Sequence, residues 1–117
     1  MRILYIEDDP NDANLITRYM QATQHELVLV SDANEARSLD AQQFDLIMVD
    51  VVLNHTRDGY KLAQELRERG YQQPVIAVTG LSLPKEIEAC YDAGFSFVLT
   101  KPFEIPQLVN VIETYGK

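Results

Sequence analysis

A chain of 117 residues, 46% hydrophobic and 24% charged, has the length and makeup of one globular domain with its own core, and residues 1–117 are expected to form it. Its net charge of −8, with no cluster of Lys or Arg to offset it, argues against nucleic acid or an anionic membrane as a direct partner. The apolar runs are too short to span a bilayer, and the single cysteine, Cys90, excludes an internal disulfide and a cysteine-based zinc site, so a reducing cytoplasmic compartment is expected.

Arg2 to Ile6 is a short apolar run with β-branched and aromatic residues, read as a buried strand. The chain enters it at once, so no signal peptide is expected. Asp9 followed by Pro10 has the form of an N-cap with proline at the first helical position, and Asp12 falls in the favoured first turn. The helix is expected to run to about Thr23 with Leu15, Ile16, Tyr19 and Met20 on its inner face. Leu27 to Val30 is the second strand. Asp32-Ala33-Asn34-Glu35 has capping-box spacing and predicts a short helix to about Ala41.

Leu46 to Val49 is an unbroken apolar run that stops abruptly at Asp50, the pattern of a strand buried on both faces. A loop with Asn54, His55 and Arg57 follows. Asp58-Gly59 opens a third helix that buries Leu62, Ala63 and Leu66 and ends at Gly70. Val75 to Val78 is a fourth buried strand, ending in Thr79-Gly80. Pro84 starts a fourth helix that ends near Gly94. Phe97 to Leu99 is a short fifth strand running into Thr100-Lys101-Pro102. The last helix carries Ile105, Leu108, Val109, Ile112 and Tyr115 at helical spacing. Five strand–helix units without linker or repeat predict an α/β fold, a parallel sheet with helices on both faces. Right-handed crossovers and this size favour the doubly wound, flavodoxin-like strand order 2-1-3-4-5.

Four of the five strands end in a residue capable of chemistry: Glu7 and Asp8, Asp50, Thr79, Lys101. In a parallel sheet these ends share one edge, where open α/β sheets place their ligand crevice. An ionised carboxylate beside a core strand is costly unless it is paired or metal-bound. Three carboxylates in oxygen-only company suit Mg²⁺, which also explains how their charges tolerate one another. Asp50 is then a candidate nucleophile of the aspartyl-phosphate kind, with Mg²⁺ and Lys101 neutralising phosphoryl oxygens and the Thr79 hydroxyl hydrogen-bonding one of them.

In order and at this spacing, Glu7-Asp8, Asp50, Asp58-Gly59, Thr79-Gly80 and Lys101-Pro102-Phe103 resemble the receiver domain of two-component response regulators over the whole chain. The resemblance implies that Asp50 is the phosphoacceptor, that Glu7, Asp8, Asp50 and the Val52 backbone carbonyl hold Mg²⁺, that Lys101 contacts the phosphoryl group and that Thr79 is the switch hydroxyl. It further implies a cis Lys101-Pro102 peptide. The partners it implies are a histidine kinase or histidine phosphotransfer protein as donor, and a downstream protein on the face of helix four, strand five and helix five. Such a domain is a switch that assists its own phosphotransfer, not an enzyme. No effector segment follows Lys117, so output by partner binding is expected if the chain is complete; it equally fits one domain of a longer regulator. The chain departs from the pattern in a loop one residue longer after Asp50, in Asn54 where proline is common, and in Val98 where most members carry an aromatic.

Plainer readings stand beside these. Asp50 could cap backbone amides, Glu7 could be solvated, and Lys101 could be an exposed lysine. Thr79 on its own would end a strand with a local hydrogen bond. Asp9 reads as a cap, His25 as a surface residue, His55 as a solvated loop residue, and Cys90 and Tyr91 as packing residues; Arg57 is left open. Two rival functions remain: a pseudo-receiver that binds protein without phosphorylation, and a Mg²⁺-dependent aspartyl phosphohydrolase. The second is disfavoured because Val52, two residues after Asp50, is not an acid and no insertion can form a lid.

Overall fold

The computed structural model describes residues 1–53, 56 and 58–116, so the readings made for Asn54, His55 and Arg57 lie outside the described residues. Five strands form one sheet: β1 (Arg2–Ile6), β2 (Glu26–Val30), β3 (Leu46–Asp50), β4 (Val75–Thr79) and β5 (Phe97–Thr100), in the order β2-β1-β3-β4-β5. All four pairings are parallel, with Ile3 opposite Leu46 and Asp50 opposite Val78. The expected topology is therefore the observed one. Every residue of β3 and β4 is buried, as continuous apolar runs in a parallel sheet require.

Helices α1 (Pro10–Gln21), α2 (Ala33–Arg37), α3 (Asp58–Glu68), α4 (Pro84–Asp92) and α5 (Ile105–Tyr115) divide between the two faces. Alternation along the strands decides which core each side chain joins. Ile3, Tyr5, Met48 and Ile76 pack with Ile16 and Met20 of α1 and Leu108 and Ile112 of α5. Leu4, Ile6, Ile47, Val49 and Ala77 pack with Ala33, Leu62, Leu66 and Cys90 from α2, α3 and α4. No helix among the described residues is long and apolar enough to cross a membrane.

Helix boundaries follow local hydrogen bonds. Asp9 accepts from Asn11 N–H at 2.9 Å and starts α1, with Pro10 behind it. Helix α3 ends in a Schellman motif: Gly70 at φ +86° lets Tyr71 N–H reach Leu66 O and Gly70 N–H reach Arg67 O, both at 3.0 Å. Lys101-Pro102 is cis, as the resemblance implied.

Four details correct the sequence reading. Helix α1 stops at Gln21 rather than Thr23, because the Thr23 hydroxyl donates to Met20 O at 2.8 Å and takes a carbonyl of the last turn. Helix α2 stops at Arg37 rather than near Ala41; Ser38 Oγ donates to Glu35 O, and Asp40 starts a separate 3₁₀ turn, Ala41–Gln43, by accepting from Gln42 N–H. Leu15 is 41% exposed, because the buried stripe of α1 runs through Ala13, Ile16 and Met20 and leaves it at the margin. Tyr91 is 46% exposed, one position round α4 from the buried Cys90.

Candidate functional site

The chain leaves β1 for β2 on one side, while β3 joins β1 on the other. The segments after β1 and β3 therefore diverge, and the crevice of this switch point opens between Ile6 and Asp50. The sequence puts its carboxylates there. Glu7, Asp8 and Asp50 each present a ligand oxygen, and these oxygens lie within 4.8 Å of one another. Two hydrogen bonds fix the described backbone next to Asp50. Val52 N–H donates to Asp50 Oδ1 at 3.1 Å, and Gly59 N–H donates to Val51 O at 3.0 Å. A Cβ on Gly59 would stand 2.5 Å from Val51 Cα and 2.6 Å from Asp50 O, so glycine is what lets α3 lie against the end of β3.

Lys101 arrives from the far end of the sequence. Its Nζ lies 2.7 Å from Glu7 Oε1, 2.9 Å from Asp12 Oδ2 and 3.2 Å from Asp50 Oδ2. By sequence, Asp12 reads only as a favourable charge in the first turn of α1. It is a third partner of the ammonium, and the cue was that its turn faces the same sheet edge. Tyr5 is a second contributor that sequence reasoning missed: its hydroxyl donates to Glu7 Oε1 at 2.9 Å from within the core. Alternation on β1 puts Tyr5 and Glu7 on one face, which is the signal that could have found it.

Thr79 is fully buried at the end of β4, and its Oγ1 accepts from Leu81 N–H at 3.0 Å. The local bond considered for this residue is thus made within the β4–α4 turn. Asp9 is the α1 cap that it was read to be.

The site is more enclosed than an open crevice: Glu7 is 2% and Asp50 6% exposed. Burial, then the hydrogen bond and charge of Glu7, push Asp50 up to about 8 against the pull of Lys101. Burial also acts to raise Glu7, but its hydrogen bonds with Asp50, Lys101 and Tyr5 outweigh it and hold Glu7 below the usual carboxylate range. Burial disfavours the charge on Lys101, and the surrounding carboxylates more than reverse that. The two carboxyls titrate as a pair, with a proton retained at Asp50 toward neutral pH in the metal-free protein. Three convergent hard oxygen donors fit a small divalent cation such as Mg²⁺, for which Asp50 would shed its proton.

The family model described as the response regulator receiver domain matches residues 3–113. The transcriptional regulatory protein RprY of Bacteroides fragilis is 32% identical over 114 residues, which cover 97% of this chain and 48% of the relative. The sensor histidine kinase RcsC of Escherichia coli is 27% identical over 118 residues, all of this chain and 12% of the relative. The chain thus spans about half or less of the length of these curated relatives. Among solved structures, the receiver domain of a sensor histidine kinase from Pseudomonas aeruginosa PAO1, with a magnesium ion coordinated in its active site cleft, is 31% identical with a TM-score of 0.85, covering 98% of this chain and 96% of that one. The BeF3-activated N-terminal receiver domain of RstA from Klebsiella pneumoniae shares the fold at a TM-score of 0.90 and 24% identity, covering 100% of this chain and 99% of that one.

Proposed function

Because the chain belongs to the response regulator receiver domain family, we propose that it is a phosphorylation-controlled switch in which Asp50 accepts a phosphoryl group. The observation that carries the reading is the convergence of the Glu7, Asp8 and Asp50 carboxylates on the Lys101 side of one buried crevice. An ionised Asp50 oxygen attacks the phosphorus of a phosphohistidine. The phosphorus–nitrogen bond breaks, and its electron pair leaves with the imidazole. Lys101, already 3.2 Å from Asp50 Oδ2, accompanies the charge that builds on the phosphoryl oxygens. Mg²⁺ held by Glu7, Asp8, Asp50 and the Val52 carbonyl would supply further positive charge there and favour the ionised form of Asp50.

Once the acyl phosphate stands at Asp50, the Thr79 hydroxyl exchanges its bond with Leu81 N–H for one to a phosphoryl oxygen, and the turn it held is free to repack. Residues 1–117 act as the receiver unit, a switch rather than a turnover enzyme. Its donor is a histidine kinase or phosphotransfer protein, and its output partner binds the α4, β5 and α5 face. The cytoplasm, which suits the free thiol of Cys90, is its proposed compartment.

The test is phosphorylation itself. With Mg²⁺ and a small acyl phosphate donor, intact-mass spectrometry should show one base-labile phosphoryl adduct, absent in Asp50→Asn. No adduct with small donors or with a cognate kinase would replace this reading by the pseudo-receiver.

A further inference from the structure

Besides its hydrogen bond with Asp50, Glu7 has two contacts at one oxygen and one at the other. Its Oε1 accepts from Tyr5 at 2.9 Å and from Lys101 at 2.7 Å, while Oε2 accepts from Asp9 N–H at 3.3 Å. These contacts differ in how firmly each is anchored. The Tyr5 ring has no exposed surface and sits in the core cluster with Ile3, Ile16 and Met48, so its hydroxyl is held by packing. Lys101 ends a long flexible side chain and is divided among Glu7, Asp12 and Asp50.

A glutamate has one more rotatable bond than an aspartate, so its carboxylate must be held from outside if it is to meet a cation in one geometry. Groups that hydrogen-bond a ligating carboxylate orient it and tune its donor strength. We propose that the Tyr5 phenol is a positioning residue for divalent-cation binding: it fixes the Glu7 carboxylate from the core side and continues to hold it when Lys101 turns to the phosphoryl group. This rests on the receiver reading given above. Tyr5 thereby makes the longer acid at position 7 usable as a metal-shell residue.

The test is Mg²⁺ binding by calorimetry on the whole chain, without phosphorylation. Four proteins form a cycle: the parent, Tyr5→Phe, Glu7→Asp and the double variant. Tyr5→Phe keeps the ring and removes only the hydroxyl, and we expect about 10-fold weaker Mg²⁺ binding. In the Glu7→Asp background the same change should leave affinity unaltered, because the shorter carboxylate no longer reaches the phenol. Unchanged or tighter binding in Tyr5→Phe overturns the proposal. So does an equal loss in both backgrounds, which would mean that the hydroxyl acts on the fold and not through Glu7. Ring resonances of Tyr5 in the unsubstituted protein supply a measurement that needs no variant: they should shift with Mg²⁺ and saturate at the calorimetric affinity, and their indifference to Mg²⁺ overturns the proposal as well. A parent that takes up Mg²⁺ while Tyr5→Phe matches it leaves the receiver reading standing. A parent that takes up none overturns both.

Discussion

At the scale of single residues, Asp50 sets the energetics of the metal-free protein. Its folded pKa of about 8 lies above the ordinary carboxylate value, first because it is buried and then because Glu7 is beside it. The native state then binds more protons than the unfolded chain between about pH 4 and 8, so this residue makes stability fall as pH climbs through that window. Asn at position 50 mimics the protonated acid and removes the penalty. Lys101 keeps Glu7 and Asp12 as partners, so the substitution leaves no uncompensated ammonium. With chelator present, Asp50→Asn should melt higher than the parent near pH 7.5, by about 2 kcal/mol or roughly 8 °C for a domain of this size. The advantage should shrink toward pH 5, where the parent's own Asp50 carries the proton. Thermal melts at the two pH values check it; a variant less stable than the parent at pH 7.5 would mean that Lys101 dominates the site.

At the scale of elements, α4 starts without a side-chain cap. Leu83 occupies its N-cap position, 60% exposed, and its side chain offers no acceptor to the first-turn amides, so its carbonyl alone accepts there, from Glu86 N–H at 2.9 Å. The reciprocal contact of a capping box is made, Leu83 N–H donating to Glu86 Oε1 at 3.2 Å. On the other side, Tyr60 of α3 donates to Glu86 O at 3.3 Å, and the preceding turn depends on the Thr79–Leu81 bond. A helix without a side-chain cap behind a turn held by the Thr79 hydroxyl is a low-stability unit next to the site. This suits an output route through α4 and residues 79–84 without a side-chain rotation at position 98, where Val98 packs against the core. Leu83→Asp supplies both the missing cap and a charge favoured at a helix start, and should add about 1 kcal/mol, or roughly 4 °C in melting temperature. Hydrogen exchange should slow in the first turn of α4 and not in α1, whose Asp9 cap is already made. Unchanged exchange in α4 would show that its start is held by contacts other than the cap.

At the scale of the molecule, the sheet order could be read from the chain because its physics is local. The inner strands β1, β3 and β4 are apolar runs that stop at Glu7, Asp50 and Thr79, and the half-buried β5 stops just before Lys101. The convergence of Glu7, Asp8, Asp50 and Lys101 was legible for the same reason, since parallel strands carry such endings to one edge. What could not be read depends on distances that only the packed fold sets. Examples are the reach of Asp12 from α1 to Lys101, the hold of Tyr5 on Glu7, and the degree to which Asp50 is shielded. That shielding joins the whole molecule's stability to cation binding. Under the proposed function Mg²⁺ binds the native state, so at ten times its dissociation constant it should stabilise the parent by about 1.4 kcal/mol, or roughly 5 °C. A ligating carboxylate must shed its proton, so affinity rises with pH toward the folded pKa of Asp50. Stabilisation by a given Mg²⁺ concentration should therefore grow from pH 6 to 8, the range in which the metal-free protein weakens. The net charge of −8 also draws cations nonspecifically, so each melt is paired with NaCl at equal ionic strength. Asp8→Asn and Asp50→Asn should lose most of the Mg²⁺ effect while keeping that of NaCl. If Mg²⁺ moves the parent's midpoint no more than matched NaCl at either pH, the carboxylates of Glu7, Asp8 and Asp50 do not act as one cation site.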